Sequence, residues 1–387
     1  MTPLRIALAT AACALVAAPV PSVAAADGPG ILGATFAQRS GTIVRLDPLT
    51  LTRLGTPLAA VGSPWSATRI SPALIALGGG ARVRIVDPAD GRVVSRVAAG
   101  SPTLALASAR GNRLLVVSRW NRSVLVLADP ATGRVISRRP LGGDLVAGVA
   151  SKGRLVLLVG PVSDIGPTRL VVVSARGGVH SAPLARIEAG TRGSATIGAD
   201  TARSEAPGLA VDPAGQRAAI VDGNGRVAIV DLRSLRVVMH QIVSRRLSAQ
   251  QKEISGWQRT VAWPTPSVLA VTGMDYRGEA RPAGLRLIRT GNWTSRLVQP
   301  SANALTLADG AVLAIGNLTH GIGLRAYEPD GHLRYHRFGA EKLADITETG
   351  GRVYASACNS YCYRVVDPGT GRLLASPNLT TQTVLIP

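Results

Sequence analysis

Four stretches of this chain read almost alike, and that repetition narrows the possible folds more than any other feature. They are VRLDPLTLTRL from Val44, VRIVDPADGRVVSRV from Val83, VLVLADPATGRVISRR from Val124 and YRVVDPGTGRLLAS from Tyr363. Each is a strand, a turn and a strand. The Asp carboxylate can accept a hydrogen bond from an amide two residues on, Pro presets φ for the next position, and Gly takes a position with φ > 0. Degraded copies begin at Leu170, Val227, Leu285 and Leu324. The turn-opening residues Asp47, Asp87, Asp129, Ser174, Asp231, Arg289, Glu328 and Asp367 are spaced 40, 42, 45, 57, 58, 39 and 39 residues apart.

Upstream of the hairpins lie further short apolar runs around Gly-centred turns, as in TLALASARGNRLLVVSRW from Thr103. A unit near 40 residues with four strands predicts an all-β chain folded as a single β-propeller. The copies predict eight four-stranded blades, with seven the alternative if one hairpin packs outside the ring. The first copy lacks an innermost strand, and TQTVLIP at the end of the sequence can supply it. The N- and C-terminal strands would then close the ring and leave no free edge.

The segment RLLVVSRWNRSVLVLADPATGRVISRRPLGGDLVAGVASKGRLVLLV resembles the YVTN family of secreted β-propeller repeats, relatives of the quinoprotein and WD-repeat propellers. The resemblance spans nearly all of the chain after its leader. It implies the fold and little chemistry, because such propellers include scaffold-like surface proteins as well as lactonase-like enzymes. Quinoprotein blades usually carry a Trp a few residues after the turn to dock the neighbouring blade. Here that place holds Ser95 and Arg96 in the second copy and Ser137 and Arg138 in the third, which argues against a quinone cofactor.

Residues 1–26 read as a secretory signal peptide, with Arg5, an apolar run from Ile6 to Val20, and small residues at Ala24 and Ala26. The domain is then 27–387, secreted or associated with the cell envelope. No later run approaches the roughly 20 apolar residues of a transmembrane helix. Beyond Cys13 in the leader, the only cysteines are Cys358 and Cys362. An even pair in an oxidising compartment, flanking a tight hairpin, predicts a disulfide. The formal net charge is +20, yet Lys152, Lys252 and Lys342 are the only lysines. The arginine excess suits a surface for an anionic polymer and equally a compositional bias. Aromatic residues make up 3% of the chain, too few stacking platforms for single-stranded nucleic acid.

In a propeller, the loops between the second and third strands emerge on the same face as those leading to the next blade. Four insertions fall there, at 161–169, 185–206, 243–258 and 273–284, all in adjoining blades. They carry Asp164, Arg192, Asp200, Arg203, Glu205, Lys252, Glu253, Trp257, Arg259, Asp275, Tyr276, Arg277 and Glu279. Mixed charges with two aromatics suit recognition of a protein or polar polymer, and insertions are also tolerated in surface loops at little cost.

The chemistry of catalysis is harder to find. No Gly-x-Ser-x-Gly elbow occurs. His332 and His336 share a strand face but lack further ligands, and turn formation explains the repeated aspartates without calcium. The expectation is a monomeric, non-catalytic scaffold without cofactor or resident metal. It would bind a protein or anionic envelope polymer, and not nucleic acid, through the insertion-bearing face. The alternative is a lactonase- or lyase-like enzyme with a metal at the channel mouth.

Overall fold

The computed structural model describes residues 30–37, 40–62, 66–71, 73–78, 82–100, 104–110, 113–119, 123–162, 164–193, 202–242, 255–277, 279–318, 320–357 and 360–386. Residues 1–26, Asp200, Lys252, Glu253 and Cys358 lie outside them, and so does the Cys358–Cys362 pair.

Short β-rich runs between Gly- and Asp-containing turns fold into four-stranded antiparallel meanders, each running from an inner to an outer strand. The second unit is Ser66–Ser71, Leu74–Gly78, Arg82–Val86 and Val93–Ala98. The third is Leu104–Arg110, Arg113–Arg119, Val124–Ala128 and Val135–Pro140. The fourth is Asp144–Ser151, Arg154–Gly160, Ile165–Val173 and Val179–Gly193. The fifth is Gly208–Val211, Arg217–Val221, Arg226–Asp231 and Val237–Gln241. The sixth is Ser255–Thr265, Val268–Arg277, Leu285–Arg289 and Thr294–Gln299. The seventh is Ala304–Ala308, Ala311–Ile315, Leu324–Tyr327 and Leu333–Arg337. The eighth is Asp345–Thr349, Arg352–Ala357, Cys362–Val366 and Leu373–Ala375.

The first unit takes its inner strand, Gln382–Ile386, from the far end of the sequence. That strand pairs antiparallel with Ile31–Ala37, which continues into Ser40–Leu46 and Arg53–Gly62. Among the described residues the strands form six separate four-stranded sheets and one ten-stranded sheet, which contains the fourth and sixth units. The arrangement is a single all-β propeller. No α-helix occurs among the described residues.

The hydrophobic core is divided among the interfaces between consecutive units, and the strand period shows why. Along Arg154–Gly160, Leu155, Leu157 and Val159 pack against the third unit, whereas Val156 and Leu158 pack against the fifth. Alternate side chains leave opposite faces of a strand, so a strand with both faces covered reads as a continuous apolar run. A further cluster joins the first and eighth units through Leu46, Leu51, Tyr354 and Val365. Burying each such side chain contributes about 1.5–3 kcal/mol.

The repeated turn is held by its aspartate. Asp47 Oδ1 accepts the amides of Leu49 and Thr50 at 2.9 and 2.7 Å, and Asp231 Oδ1 accepts those of Arg233 and Ser234 at 3.1 and 2.6 Å. In six of the eight turns the fourth residue after the opener takes a left-handed conformation: Gly91 (φ 76°), Gly133 (φ 71°) and Gly371 (φ 67°), with Leu51, Leu235 and Trp293 in the same role; after Ser174 and Glu328 it is the third, Gly177 (φ 83°) and Gly331 (φ 92°).

These turns also dock against the preceding unit. Ser95, buried, donates to the Pro130 carbonyl at 2.6 Å, Tyr335 donates to that of Pro368 at 3.1 Å, and the His240 ring stacks on Trp293 at 3.6 Å. A hydroxyl thus fills the place where a docking Trp was sought. Arginines tie units together in the same way: Arg138 donates to Ala98 O at 2.6 Å, and Arg337 to Gly371 O and Thr370 O at 2.8 and 3.3 Å. Closure does not abolish edges, contrary to the sequence expectation. Among the described residues the outermost strand of every unit except the fourth has no partner on its outer side, because a radial array closes around its inner strands only.

Candidate functional site

The insertions read as surface loops from the sequence are largely strands of one sheet. Val179–Gly193 runs past its own unit and pairs antiparallel with Ala202–Ala206, matching Arg192 to Arg203 and Gly190 to Glu205. Ala202–Ala206 then pairs in parallel with the start of Ser255–Thr265, matching Arg203 to Ser255 and Glu205 to Trp257. The extended strand Val268–Arg277 follows, matching Trp257 to Asp275, and the short strand Glu279–Pro282 completes the edge. The result is a bridge of hydrogen-bonded backbone from the fourth unit to the sixth, passing over the fifth.

Local sequence explains the bridge. Gly190, Gly256 and Gly273 adopt φ of 131°, 135° and 144°, a region essentially reserved for glycine. At each, a Cβ would collide with a backbone carbonyl, that of Asp164, Ser204 and Gln258 respectively. Both edges carry a proline, Pro167 in Ile165–Val173 and Pro282 in Glu279–Pro282, which removes a donor and discourages strand addition by another chain.

Register places most of the candidate residues on one face. Arg192, Arg203, Arg277 and Glu279 share one row, and Glu205, Trp257, Asp275 and Arg281 the row two residues away, which points to the same side of a pleated sheet. Tyr276 falls between these rows, and its hydroxyl lies 3.8 Å from Met274 Sδ. At the outer rim Arg192 Nε donates to Asp164 Oδ1 at 2.6 Å, with both side chains exposed. That bond holds the Asp164 carboxyl below its usual range and raises the guanidinium.

Nearer the ring the side chains on this face are more enclosed. Trp257 is 3% exposed and Glu205 2%. The Trp257 indole lies on Gly223, where no Cβ would fit. Arg259 is held by Asp275 Oδ1 at 2.6 Å, by the carbonyls of Gln258 and Met274 at 3.0 Å, and by that of Gly223 at 3.4 Å. Its guanidinium carbon also lies 5.8 Å from the centre of the Trp257 ring, a cation–π arrangement. Arg203 pairs with Glu205 Oε1, while Glu205 Oε2 is buried without a hydrogen-bond partner among the described residues.

Beneath the bridge sits Asp222, which sequence reasoning missed. It opens the 222–225 turn of the fifth unit, is 2% exposed, and accepts the amides of Asn224 and Arg226 at 2.9 and 2.8 Å. Burial pushes its carboxyl up to about 6, against the lowering effect of those amides, Arg226 and Arg259. The available signal was the run Asp222-Gly-Asn-Gly, a turn whose first glycine no backbone rule requires. Elsewhere, His332 faces Asp330 at 2.9 Å while His336 faces Ile322 O and Gly339 O, so the two rings serve different partners. No group of three or more metal-ligating side chains occurs among the described residues.

Comparison with known proteins adds the fold and no chemistry. No protein-family model matches the chain, and no curated protein does. Among solved structures it is similar to the dihydro-heme d1 dehydrogenase NirN, at 12% identity and a TM-score of 0.59, over 92% of this chain and 75% of that one. It is similar to apo AztD from Citrobacter koseri at 11% identity and a TM-score of 0.52, over 92% and 96%. The computationally designed protein Ika8 matches at 12% identity and a TM-score of 0.50, over 83% and 87%. Likeness at such identity is likeness of fold. No helix among the described residues is long and apolar enough to cross a membrane.

Proposed function

We propose that this chain is an exported, non-catalytic propeller of the YVTN kind that binds a protein or an anionic envelope polymer through the exposed rim of its bridging sheet. One observation carries the reading: four separate insertions, in three adjoining units, extend the same face and pair into one sheet. Drift in independent loops does not by itself produce a shared hydrogen-bond register. The exposed rim offers Arg192, Asp164, Glu279 and Arg281 at a face with blunted edges, which favours contact through side chains. The alternative is a lactonase- or lyase-like enzyme with a metal at the channel mouth, for which no group of three or more ligating side chains occurs among the described residues.

The same proposal takes each meander as one blade, giving an eight-bladed ring, supported by the apolar clusters between successive units and between the eighth and the first. It takes 1–26 as a cleaved leader, Cys358 and Cys362 as a disulfide, and the mature protein as a monomer. The test is binding of secreted protein to anionic polysaccharide, polyphosphate and envelope proteins, with Arg192→Glu, Arg277→Glu and Arg281→Glu combined. Arg203 is spared because it neutralises buried Glu205. Weaker binding with an unchanged melting temperature is the expected result, and unchanged binding to every ligand that the parent binds overturns the proposal. Mass spectrometry of the secreted chain is expected to give an N-terminus at Asp27.

A further inference from the structure

The bridge rests on the fifth unit at one small dock. Trp257 lies on Gly223, and Arg259 donates to the Gly223 carbonyl at 3.4 Å. Asp222, next in the chain, is almost wholly enclosed. The positive-φ glycines Gly190, Gly256 and Gly273 lie in the strands that make the bridge, and the dock sits beside two of them: Trp257 follows Gly256 in the chain and Arg259 is matched to Gly273. We propose that this bridging sheet is a strap whose seating on the fifth unit tightens on acidification, by uptake of a proton at Asp222.

The direction follows from what surrounds the carboxyl. Two cations act on it: Arg226, 3.9 Å away on the strand that follows the turn, and Arg259 on the bridging strand. Neither is free to serve Asp222 alone. Arg226 also donates to the Arg186 carbonyl, and Arg259 is bonded to Asp275 and three carbonyls. The seated strap therefore encloses a carboxylate whose neutralising partners are shared, and enclosure favours the neutral acid. Seated, the group is pushed up to about 6, and in water it returns towards its ordinary 3.8. The seated form thus binds the proton more tightly. Between those two values it carries more protons than the open form, so its stability rises as pH falls from 7 towards 4. A difference of about two pH units is a factor of up to about 100 in the seating equilibrium.

His240 is a second titratable group on the fifth unit. It lies on the outer strand of the fifth unit, stacked on Trp293, and its chain neighbour Gln241 donates to Asn224 O at 2.9 Å. Burial lowers its pKa, so acid would charge it and loosen its stack, an effect opposite in sign.

The test is amide hydrogen exchange in 190–193, 203–206 and 255–258, as protection corrected for the intrinsic rate at each pH between 5 and 7.5. The expected result is protection rising as pH falls, by tens of fold, with a midpoint near pH 6. Asp222→Asn, a neutral isostere, is expected to hold the high protection at every pH, and His240→Gln to keep the parental profile. Gly223→Ala, which unseats Trp257, is expected to give low protection at every pH in a folded ring, and it reads the dock without altering Asp222. A flat parental profile overturns the proposal even if no variant folds, and so does parental pH dependence in Asp222→Asn or its loss in His240→Gln.

Discussion

The Tyr354 hydroxyl donates to the carbonyl of Pro48 at 2.9 Å, although 306 residues separate the two in sequence. Tyr354 belongs to the eighth unit, and Pro48 to the Asp-Pro turn of the first. Ser95 with Pro130 and Tyr335 with Pro368 repeat the relationship between other neighbours. The carbonyl of the turn's proline is therefore a recurrent dock, and at Pro48 it joins the two ends of the ring.

Tyr354→Phe removes that donor and nothing else of the ring's apolar contact. Loss of one buried hydrogen bond is expected to cost about 0.5–1.5 kcal/mol, read as a lower denaturant midpoint with an unchanged m-value. A larger loss would mean that the closure between the ends carries more of the ring than one bond.

Gly223→Ala places a methyl group where the Trp257 indole lies. Overpacking of this kind costs about 1–3 kcal/mol. Near-ultraviolet circular dichroism of the tryptophans is expected to change, with far-ultraviolet strand content retained.

Arg337→Met removes hydrogen bonds to Gly371 O and Thr370 O without removing an ion pair. The expected destabilisation is about 1.5–3 kcal/mol for charged donors. Because the partners are carbonyl dipoles, the difference between variant and parent is expected to persist from low to 1 M salt, measured by chemical denaturation.

The turn aspartates Asp47, Asp129, Asp231 and Asp367 are held below 3.8, chiefly by backbone amides and, at Asp367, first by the Thr370 hydroxyl. A carboxyl depressed in the folded state contributes stability that is present above its unfolded value and lost as pH falls through the folded one. Melting temperature is therefore expected to fall steeply below about pH 4. Asp129→Asn is expected to flatten part of that slope, since the amide oxygen keeps accepting the Ala131 amide without titrating.

Most of the fold was legible because its signals are local. The Asp-Pro turn, the Gly four residues on and the doubly buried strands each follow from backbone sterics and period, and the inner strand from the chain's end was implied by its absence at the start. The insertions were legible as positions but not as a sheet. Their pairing joins Arg203 to Ser255 across the whole fifth unit, a contact that no short-range pattern encodes. Trp257 and Glu205 look like surface residues in sequence because polar residues flank them; in the fold the Trp257 indole lies on Gly223 and Glu205 is enclosed beside Arg203. The arginine excess was ambiguous for a similar reason, since Arg138 and Arg337 spend their donors on carbonyls one unit away.

The bridge also sets which parts of this ring can be exchanged. Elsewhere a repeat can be cut out at the loops between meanders, with two interfaces broken and one remade. Within the fourth to sixth units that surgery would strand Ala202–Ala206 with one flank unpaired, so recombination, natural or designed, has to move those three repeats as a single cassette.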